Sequence, residues 1–244
     1  MEELRRRTAA SDLEIDNALD AAFAVEIDGT TSSVLAELGY VYRMSAGYTT
    51  HLLDLIITTA TADSLSLNNL TLDQIQISLS SGEERPECIQ VILRLFSETP
   101  HERNIPSVYL LIQAFSLSPT KITRWYGIRT LSSLNGSIST STFAHKWQLS
   151  LPPAFDTENP NIQLLTGNFH HPSPETIQYL PASELSHIPE QRFAQLFGVK
   201  EKWGIGEIMP FLEGCVESGD GWEKKAEREC QKWARVRGGM VMKR

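Results

Sequence analysis

With 244 residues, the chain can form one large domain or several small ones, and its composition is typical of a soluble globular protein. Apolar residues at 41% and charged residues at 21% exclude disorder throughout, and the longest apolar run, Leu52–Ile57, is broken by Asp54 and is too short to span a membrane. The three widely spaced cysteines and the absence of a recognisable signal peptide predict a cytosolic or nuclear protein: Cys88, Cys215 and Cys230.

The net charge of −8 argues against a strongly basic nucleic-acid-binding protein, but the charge is unevenly distributed. Residues 103–155 hold five Lys or Arg and no Asp or Glu, and residues 222–244 hold eight Lys or Arg against three Glu. These two basic segments could contact phosphates, pair with acidic surfaces of the same protein or of a partner, or be solvated.

The first predicted unit covers residues 1–47. Apolar residues repeat at helical spacing over Ile15–Phe23, and a short hairpin is predicted directly afterwards at Asp28-Gly29. A helix followed by a hairpin is the second half of a winged helix. The exposed face of this helix is acidic, so it is poorly suited to contact DNA.

A complete winged helix is predicted over residues 48–116. It consists of a helix at Tyr48–Ala60, a short helix at Leu72–Leu79, a third helix that Pro86 opens, and an apolar strand at Val108–Ile112.

The same order of elements is predicted again over residues 117–182. Ser118-Pro119 opens a helix that Asn135-Gly136 ends, and Phe143–Leu151 forms the next. A third helix, capped by Asn159-Pro160, and two strands follow, the strands at Phe169 and at Ile177–Leu180 on either side of a tip that contains His170-His171.

Residues 183–244 are predicted to form a C-terminal helical segment with a basic tail. Helices are expected from Pro189 to Phe197 and from Gly206, and the alternating charges of Trp222–Arg237 are typical of a surface helix. The predicted fold class is therefore mainly α with short β-hairpins, an α+β arrangement of tandem winged-helix units before a helical segment.

No motif for catalysis or for binding a cofactor or metal is recognisable. The chain lacks the phosphate-binding loop of nucleotide hydrolases and the Gly-x-Gly-x-x-Gly fingerprint. The adjacent histidines His170 and His171 would face opposite sides of a strand, so they are poorly placed to share a metal. We therefore predict a protein that is not an enzyme, with no cofactor.

One stretch, L-P-A-S-E-L-S-H-I-P-E-Q-R-F-A-Q-L-F-G-V-K-E-K-W-G-I-G-E-I-M-P-F-L, resembles the C-terminal signature of the DCC family. Members of this family are sister-chromatid cohesion subunits of the alternative replication factor C complex. The segment from Phe143 to Pro152 and the K-W-A-R sequence at Lys232 are similar to further family segments. The signature positions, which we interpret as structural, are Arg192, Phe193, Leu196, Phe197, Lys202, Trp203, Ile208, Pro210, Phe211 and Leu212.

The resemblance implies a non-catalytic, nuclear adaptor of a clamp-loader-like complex that acts in DNA replication and cohesion. In the family, winged helices contact DNA and polymerase epsilon, a β-rich N-terminal half docks onto the other clamp-loader subunits, and those subunits supply the ATPase activity. This chain begins within the family's first winged helix, so we expect the docking half to be missing here.

The DNA-binding candidates are basic residues from both basic segments. We expect weak binding without sequence preference, and no membrane contact. The alternative is a scaffold whose winged helices bind only proteins. The candidate DNA-binding residues are Lys121, Arg124, Arg129 and Lys146, followed by Lys232, Arg235 and Arg237.

Overall fold

A computed structural model shows the fold of most of the chain, which divides into two compact units. The first unit comprises Met1–Trp125 and Leu151–Thr157, and the second comprises Tyr126–Ser150 and Glu158–Arg244. The predicted N-terminal helix, the Asp28-Gly29 hairpin and the strand at Val108–Ile112 lie outside the described residues. The described residues are 34–37, 40–79, 84–98, 114–155, 160–213 and 221–244.

Among its described residues, the first unit has two short antiparallel strand pairs and three helices before the start of the next helix, Pro119–Ser132. Strands β1 and β2 pair with each other, and β3 pairs with β4. The elements in chain order are β1 (Val34–Glu37), β2 (Tyr40–Arg43), α1 (Ala46–Ala62), β3 (Leu70–Thr71), α2 (Leu72–Ser78), α3 (Pro86–Leu95) and β4 (Ala114–Phe115).

Local sequence signals start each of these helices. The Ser45 hydroxyl accepts the Tyr48 amide at the start of α1, and Thr71 and Gln74 form a reciprocal capping box at the start of α2. Pro86 occupies the first turn of α3, where its missing N–H costs no hydrogen bond. The sequence predicted α1 and α2 from the spacing of their apolar residues and α3 from Pro86 as well, and the structure adds the caps at Ser45 and Thr71.

The core of the first unit is built around Trp125, which is fully buried. Its indole N–H donates to the Thr50 hydroxyl at 3.0 Å, and its ring meets Phe96 edge-on with the ring centres 5.6 Å apart. A bridge between Ser97 and Leu117 lies next to the β3–β4 pair. A hydrophobic cluster thus joins α1, α3 and the residues around β4.

The second unit begins within helix α4 and holds a first group of elements that we call the middle repeat. Strand β7 lies between β5 and β6, and the 3-10 turn Ile162–Leu165 precedes β6. The elements are α4 (Pro119–Ser132), of which the middle repeat takes the part from Tyr126 onward, β5 (Ile138–Ser139), α5 (Thr140–Ser150), the 3-10 turn Ile162–Leu165, β6 (Phe169–His170) and β7 (Thr176–Tyr179).

A close helix contact defines the core of the middle repeat. A Cβ atom placed on Gly127 of α4 would lie 2.5 Å from the Trp147 ring of α5 and 2.7 Å from Leu165. Only glycine therefore lets the two helices approach this closely. Trp147 also stacks at a tilt on Phe143, with 5.6 Å between the ring centres.

The remaining elements form the C-terminal repeat, with strand β10 between β8 and β9. Trp203 lies in the centre of its hydrophobic core, together with Phe193, Leu196, Phe211 and Val241. The elements are α6 (Pro189–Val199), β8 (Lys202–Gly204), α7 (Ile205–Ile208), the 3-10 turn Met209–Phe211, α8 (Trp222–Trp233), β9 (Ala234–Arg237) and β10 (Met240–Lys243).

The structure confirms the predicted fold class, mainly helical with short antiparallel sheets, and corrects two details. The segment 183–244 is not purely helical, because α8 ends at Trp233 and a hairpin follows. Gly238 and Gly239 make this hairpin possible, since both have positive φ angles, of 57° and 74°. In the middle repeat, the predicted third helix is a 3-10 turn capped by Asn161, not by Asn159. The predicted domain boundaries stay a prediction.

No helix within the described ranges is long and apolar enough to cross a membrane.

Candidate nucleic-acid interface

Helix α8 has one buried face and one basic face. Ala226 and Cys230 are fully buried, and Trp222 packs beside them at the same four-residue spacing. A shift of two positions along a helix leads to the opposite side, which carries Lys224, Arg228 and Lys232. All three of these cations are exposed, so the packing of α8 presents a basic stripe to solvent.

Acidic and aromatic side chains lie next to this stripe. Glu223 and Glu227 are also exposed and flank the cations, so part of the positive charge is offset. The Lys232 ammonium lies 4.9 Å from the Trp233 ring centre and 3.8 Å from a Glu229 carboxylate oxygen. Glu229 in turn accepts the Trp233 indole N–H at 2.7 Å. Lys232, at the C-terminal end of the stripe, therefore has both an aromatic and an acidic neighbour.

The sheet of the C-terminal repeat presents a second basic surface. Val241 is fully buried and faces the core, so its neighbours on β10, Met240 and Met242, face outward. Met242 lies opposite both Arg235 and Lys202, and Met240 lies opposite Arg237. Side chains of paired residues share a face, so this outer face carries three cations around two methionines. All three cations are exposed.

Arg244 closes the end of helix α8 beside this sheet. Its guanidinium donates to the Gln231 carbonyl at 2.7 Å and to the Ala234 carbonyl at 3.3 Å. A cation at this position also interacts favourably with the negative end of the helix dipole. A shallow depression here is lined by Gln231, Ala234, Arg235, Val236 and Arg244. Arg244 thus fixes the end of helix α8 next to strand β9.

The other four candidates lie elsewhere. Lys121 is half-buried, and its ammonium donates to the Ser97 carbonyl at 2.9 Å, which ties the start of α4 to the first unit. Arg124 on the same helix is also half-buried. In the middle repeat, Arg129 is half-buried near the end of α4, and Lys146 is exposed on α5. Among the seven predicted residues, the structure therefore groups Lys232, Arg235 and Arg237 in one repeat.

Sequence reasoning missed two residues of the basic stripe, Lys224 and Arg228. It also assigned Lys202 to the structural signature, whereas this side chain is exposed on the outer sheet face. The stripe could have been identified from the spacing of its cations. Each of them lies two positions after one of the residues on the buried face, Trp222, Ala226 and Cys230.

Comparison with known proteins assigns the chain to a family. A family model described as "Sister chromatid cohesion protein Dcc1" matches residues 1–212, most of the chain. The chain belongs to the Dcc1 family. It is 27% identical to "Sister chromatid cohesion protein DCC1" of Saccharomyces cerevisiae over 183 residues, covering 72% of this chain and 46% of the relative. It is 26% identical to the Danio rerio protein of the same name over 214 residues, covering 87% of this chain and 50% of the relative.

A Dictyostelium discoideum relative, "Probable sister chromatid cohesion protein DCC1", is 23% identical over 201 residues, covering 74% of this chain and 52% of that protein. The chain thus spans about half the length of these curated relatives. The Dcc1 match ends at Leu212, so it includes Lys202 and the signature, whereas α8 and the β9–β10 hairpin follow it. The names of the relatives describe cohesion proteins and no catalytic activity.

The residues of the Dcc1-like signature form the core under the basic surface. Arg192 is only 1% exposed, and its guanidinium donates to three backbone carbonyls: Phe211, Ser186 at 3.2 Å and Ala182 at 2.7 Å. Trp203 is fully buried and donates its indole N–H to the Leu196 carbonyl at 3.2 Å. Fully or almost fully buried alongside them are Phe193, Leu196, Phe197, Ile208, Phe211 and Leu212, whereas Pro210 is half-buried.

Reactive side chains of the described part of the chain are placed for packing. Cys88 and Cys230 are both buried, and burial raises the pKa of the Cys88 thiol. The Tyr48 hydroxyl donates to Glu84, and burial followed by this hydrogen bond raises the pKa of Tyr48. Within the described ranges, no group of three His, Cys, Asp or Glu side chains is arranged to hold a metal ion.

Proposed function

We propose that this chain is the winged-helix part of a non-catalytic adaptor of a replication factor C-like clamp loader in sister chromatid cohesion and DNA replication. The match to the Dcc1 family over residues 1–212 carries this proposal. In this role the chain works in the nucleus, contacts DNA and polymerase epsilon, and belongs to a complex whose other subunits hydrolyse ATP.

The repeated element order supports the winged-helix part of the proposal. In the C-terminal repeat, the order is helix, strand, helix, helix, strand, strand, and the last strand lies in the centre of the sheet. The middle repeat has the same sheet order, with a 3-10 turn at the position of α8. The first unit supplies α1, β3, α2, α3 and β4 in the matching order.

For DNA, we propose that the C-terminal repeat makes the main contact. Its basic stripe and outer sheet face together expose Lys202, Lys224, Arg228, Arg235 and Arg237, besides Lys232. Exposed Lys and Arg can neutralise phosphates and release counterions without reading the sequence of bases. The net charge of −8 opposes the approach of DNA to the chain as a whole, so we expect weak affinity that depends strongly on salt.

Fluorescence anisotropy with a labelled DNA duplex tests this contact. The wild-type chain should lose affinity by at least roughly 100-fold between about 50 and about 200 mM salt. The triple variant Lys232→Glu, Arg235→Glu, Arg237→Glu should reduce the slope of log affinity against log salt by about 3, one for each phosphate contact. Lys146→Glu, an exposed change on α5, is the matched control and should leave the slope within about 1 of wild type.

A flat salt response, or no binding at low salt, would contradict DNA contact altogether. A triple variant that binds like wild type would contradict the assignment to the C-terminal repeat. Charge reversal at Lys121 and Arg124 should reduce DNA affinity less than the triple variant does, because the Lys121 ammonium already donates to the Ser97 carbonyl.

The second candidate function is a scaffold that binds proteins alone. The outer sheet face favours it at one point, because Met240 is 37% exposed opposite Arg237, and exposed methionine suits an apolar partner. A pull-down of the polymerase epsilon catalytic subunit and the clamp-loader subunits separates the two functions. Lost DNA binding with intact polymerase capture by the triple variant supports the first function. A wild-type chain that captures the polymerase but binds no DNA supports the scaffold.

A further inference from the structure

The turn between β6 and β7 in the middle repeat contacts an ion pair of the C-terminal repeat. Lys200 follows helix α6, and its ammonium donates to both carboxylate oxygens of Glu207 in α7, at 2.9 and 2.7 Å. Both side chains are largely buried, with 29% and 23% of their surfaces exposed. Water and salt therefore screen this pair less than a surface pair.

Both members of the pair also bind the backbone of one residue in the turn. The His171 amide donates to a Glu207 carboxylate oxygen at 3.3 Å, and the His171 carbonyl accepts from the Lys200 ammonium at 3.2 Å. The polarity is matched on both sides, since the carboxylate accepts the N–H and the ammonium donates to the C=O. The pair therefore binds both the amide and the carbonyl of His171, as the backbone of a paired strand would.

Aromatic packing continues the same contact into the core. The His170 ring, 3% exposed, lies 5.9 Å from the ring of Trp203, centre to centre. The Lys200 ammonium lies 5.4 Å from the centre of that Trp203 ring. The end of β6 and the turn thus contact the central residue of the C-terminal core.

We propose that Lys200 and Glu207 form a clasp that holds the β6–β7 turn and makes the middle and C-terminal repeats move as one body. Three observations carry this inference: the ion pair is largely buried, both of its members bind His171, and the contact continues through His170 to Trp203. The clasp fixes the direction in which the basic face of the C-terminal repeat points relative to the middle repeat. It does not depend on whether that face binds DNA.

Hydrogen exchange of the whole chain, read by mass spectrometry, tests the clasp. In Glu207→Ala, amides of the β6–β7 turn should exchange at least about ten-fold faster, because the carboxylate that accepts the His171 amide and positions Lys200 is gone. Exchange in α8 should remain as in wild type. Glu201→Ala removes an exposed carboxylate nearby and is the matched control, with no change expected in the turn.

Motion of the repeats provides the second measurement. Spin labels on the exposed positions Ser141 of α5 and Gln231 of α8 should give a narrow distance distribution in wild type and a broader one in Lys200→Ala, Glu207→Ala. Lys200→Arg can still donate to both acceptors and should keep the narrow distribution. Unchanged exchange in the turn, or an equally narrow distribution in the double variant, would overturn the proposal.

Should Glu207→Ala fail to fold, Glu207→Gln keeps the side-chain volume and one acceptor oxygen while it removes the ion pair. Faster exchange in the turn, by a smaller factor than for alanine, is then expected. Protection identical to wild type in that variant would also overturn the clasp.

Discussion

The middle and C-terminal repeats share one sheet order but differ in the element that precedes their last two strands. In the middle repeat this element is the four-residue 3-10 turn Ile162–Leu165, and in the C-terminal repeat it is the 12-residue helix α8. Their turns differ as well. The β6–β7 turn contacts Lys200 and Glu207, whereas the β9–β10 turn consists of two exposed glycines.

The difference separates elements that pack within the molecule from elements that are exposed to solvent. The middle repeat uses its turn and its close helix contact for packing, so less of it is available to a partner. The C-terminal repeat buries its signature residues and presents the long helix and the open hairpin to solvent. We expect substitutions in the two cores to reduce stability, and substitutions on α8 and β9 to affect binding.

The largest effect is expected in the C-terminal core. Arg192→Ala removes a buried guanidinium and leaves the carbonyls of Phe211, Ser186 and Ala182 without this donor, which should lower the free energy of unfolding by about 3 kcal/mol. Urea unfolding followed by tryptophan fluorescence measures the change. Arg237→Ala, on the exposed sheet face, is the control and should stay within about 0.5 kcal/mol of wild type.

An intermediate effect is expected in the middle repeat. Gly127→Ala places a methyl group 2.5 Å from the Trp147 ring, so α4 and α5 must separate, at a cost of about 2 kcal/mol. Thermal unfolding by circular dichroism measures this loss. Gly198→Ala in α6 is the matched change, since nothing lies within 4 Å of its new Cβ atom; it should raise stability by about 0.5 kcal/mol. Equal effects at both positions would contradict the difference in packing.

The smallest effect concerns pH and the junction of the two repeats. Burial lowers the pKa of His170; the Lys200 and His171 charges also lower it, and Glu207 partly opposes them. Folded His170 therefore stays neutral where the unfolded chain takes up a proton, so stability is fully present above about pH 6.5 and is lost as pH falls through the folded pKa.

Urea unfolding at a series of pH values between about 7 and 5 measures this dependence. His170→Phe fills the same space beside Trp203 without a titrating group and should flatten the curve over this range. A variant with the full wild-type slope would show that other groups carry the dependence.

The sequence predicted helices best where a cap or a proline marks the first turn. Pro86, Ser118-Pro119 and Pro189 mark the starts of three helices that the structure contains. Strands were harder to predict, because several have only two residues and are too short to show the alternation of apolar and polar residues that marks a strand.

The candidate site was predictable only in part. The alternation in Arg235-Val236-Arg237 and the Gly238-Gly239 pair were visible in the sequence, yet the charge spacing before them favoured a longer helix. The hydrogen bond from the Lys121 ammonium to the Ser97 carbonyl could not be predicted from the sequence, since the two residues lie 24 positions apart and come together only in the folded chain.

Strand β9 lies at the edge of its sheet, next to β10 on one side alone. An open edge of this kind invites pairing with a strand of a second molecule, and charged side chains are a common protection against it. Arg235 and Arg237, with Val236 between them, thus have a second consequence: they oppose edge-to-edge association of the chain. Replacing both arginines with uncharged residues would then reduce solubility, which should become visible as aggregation in concentrated samples.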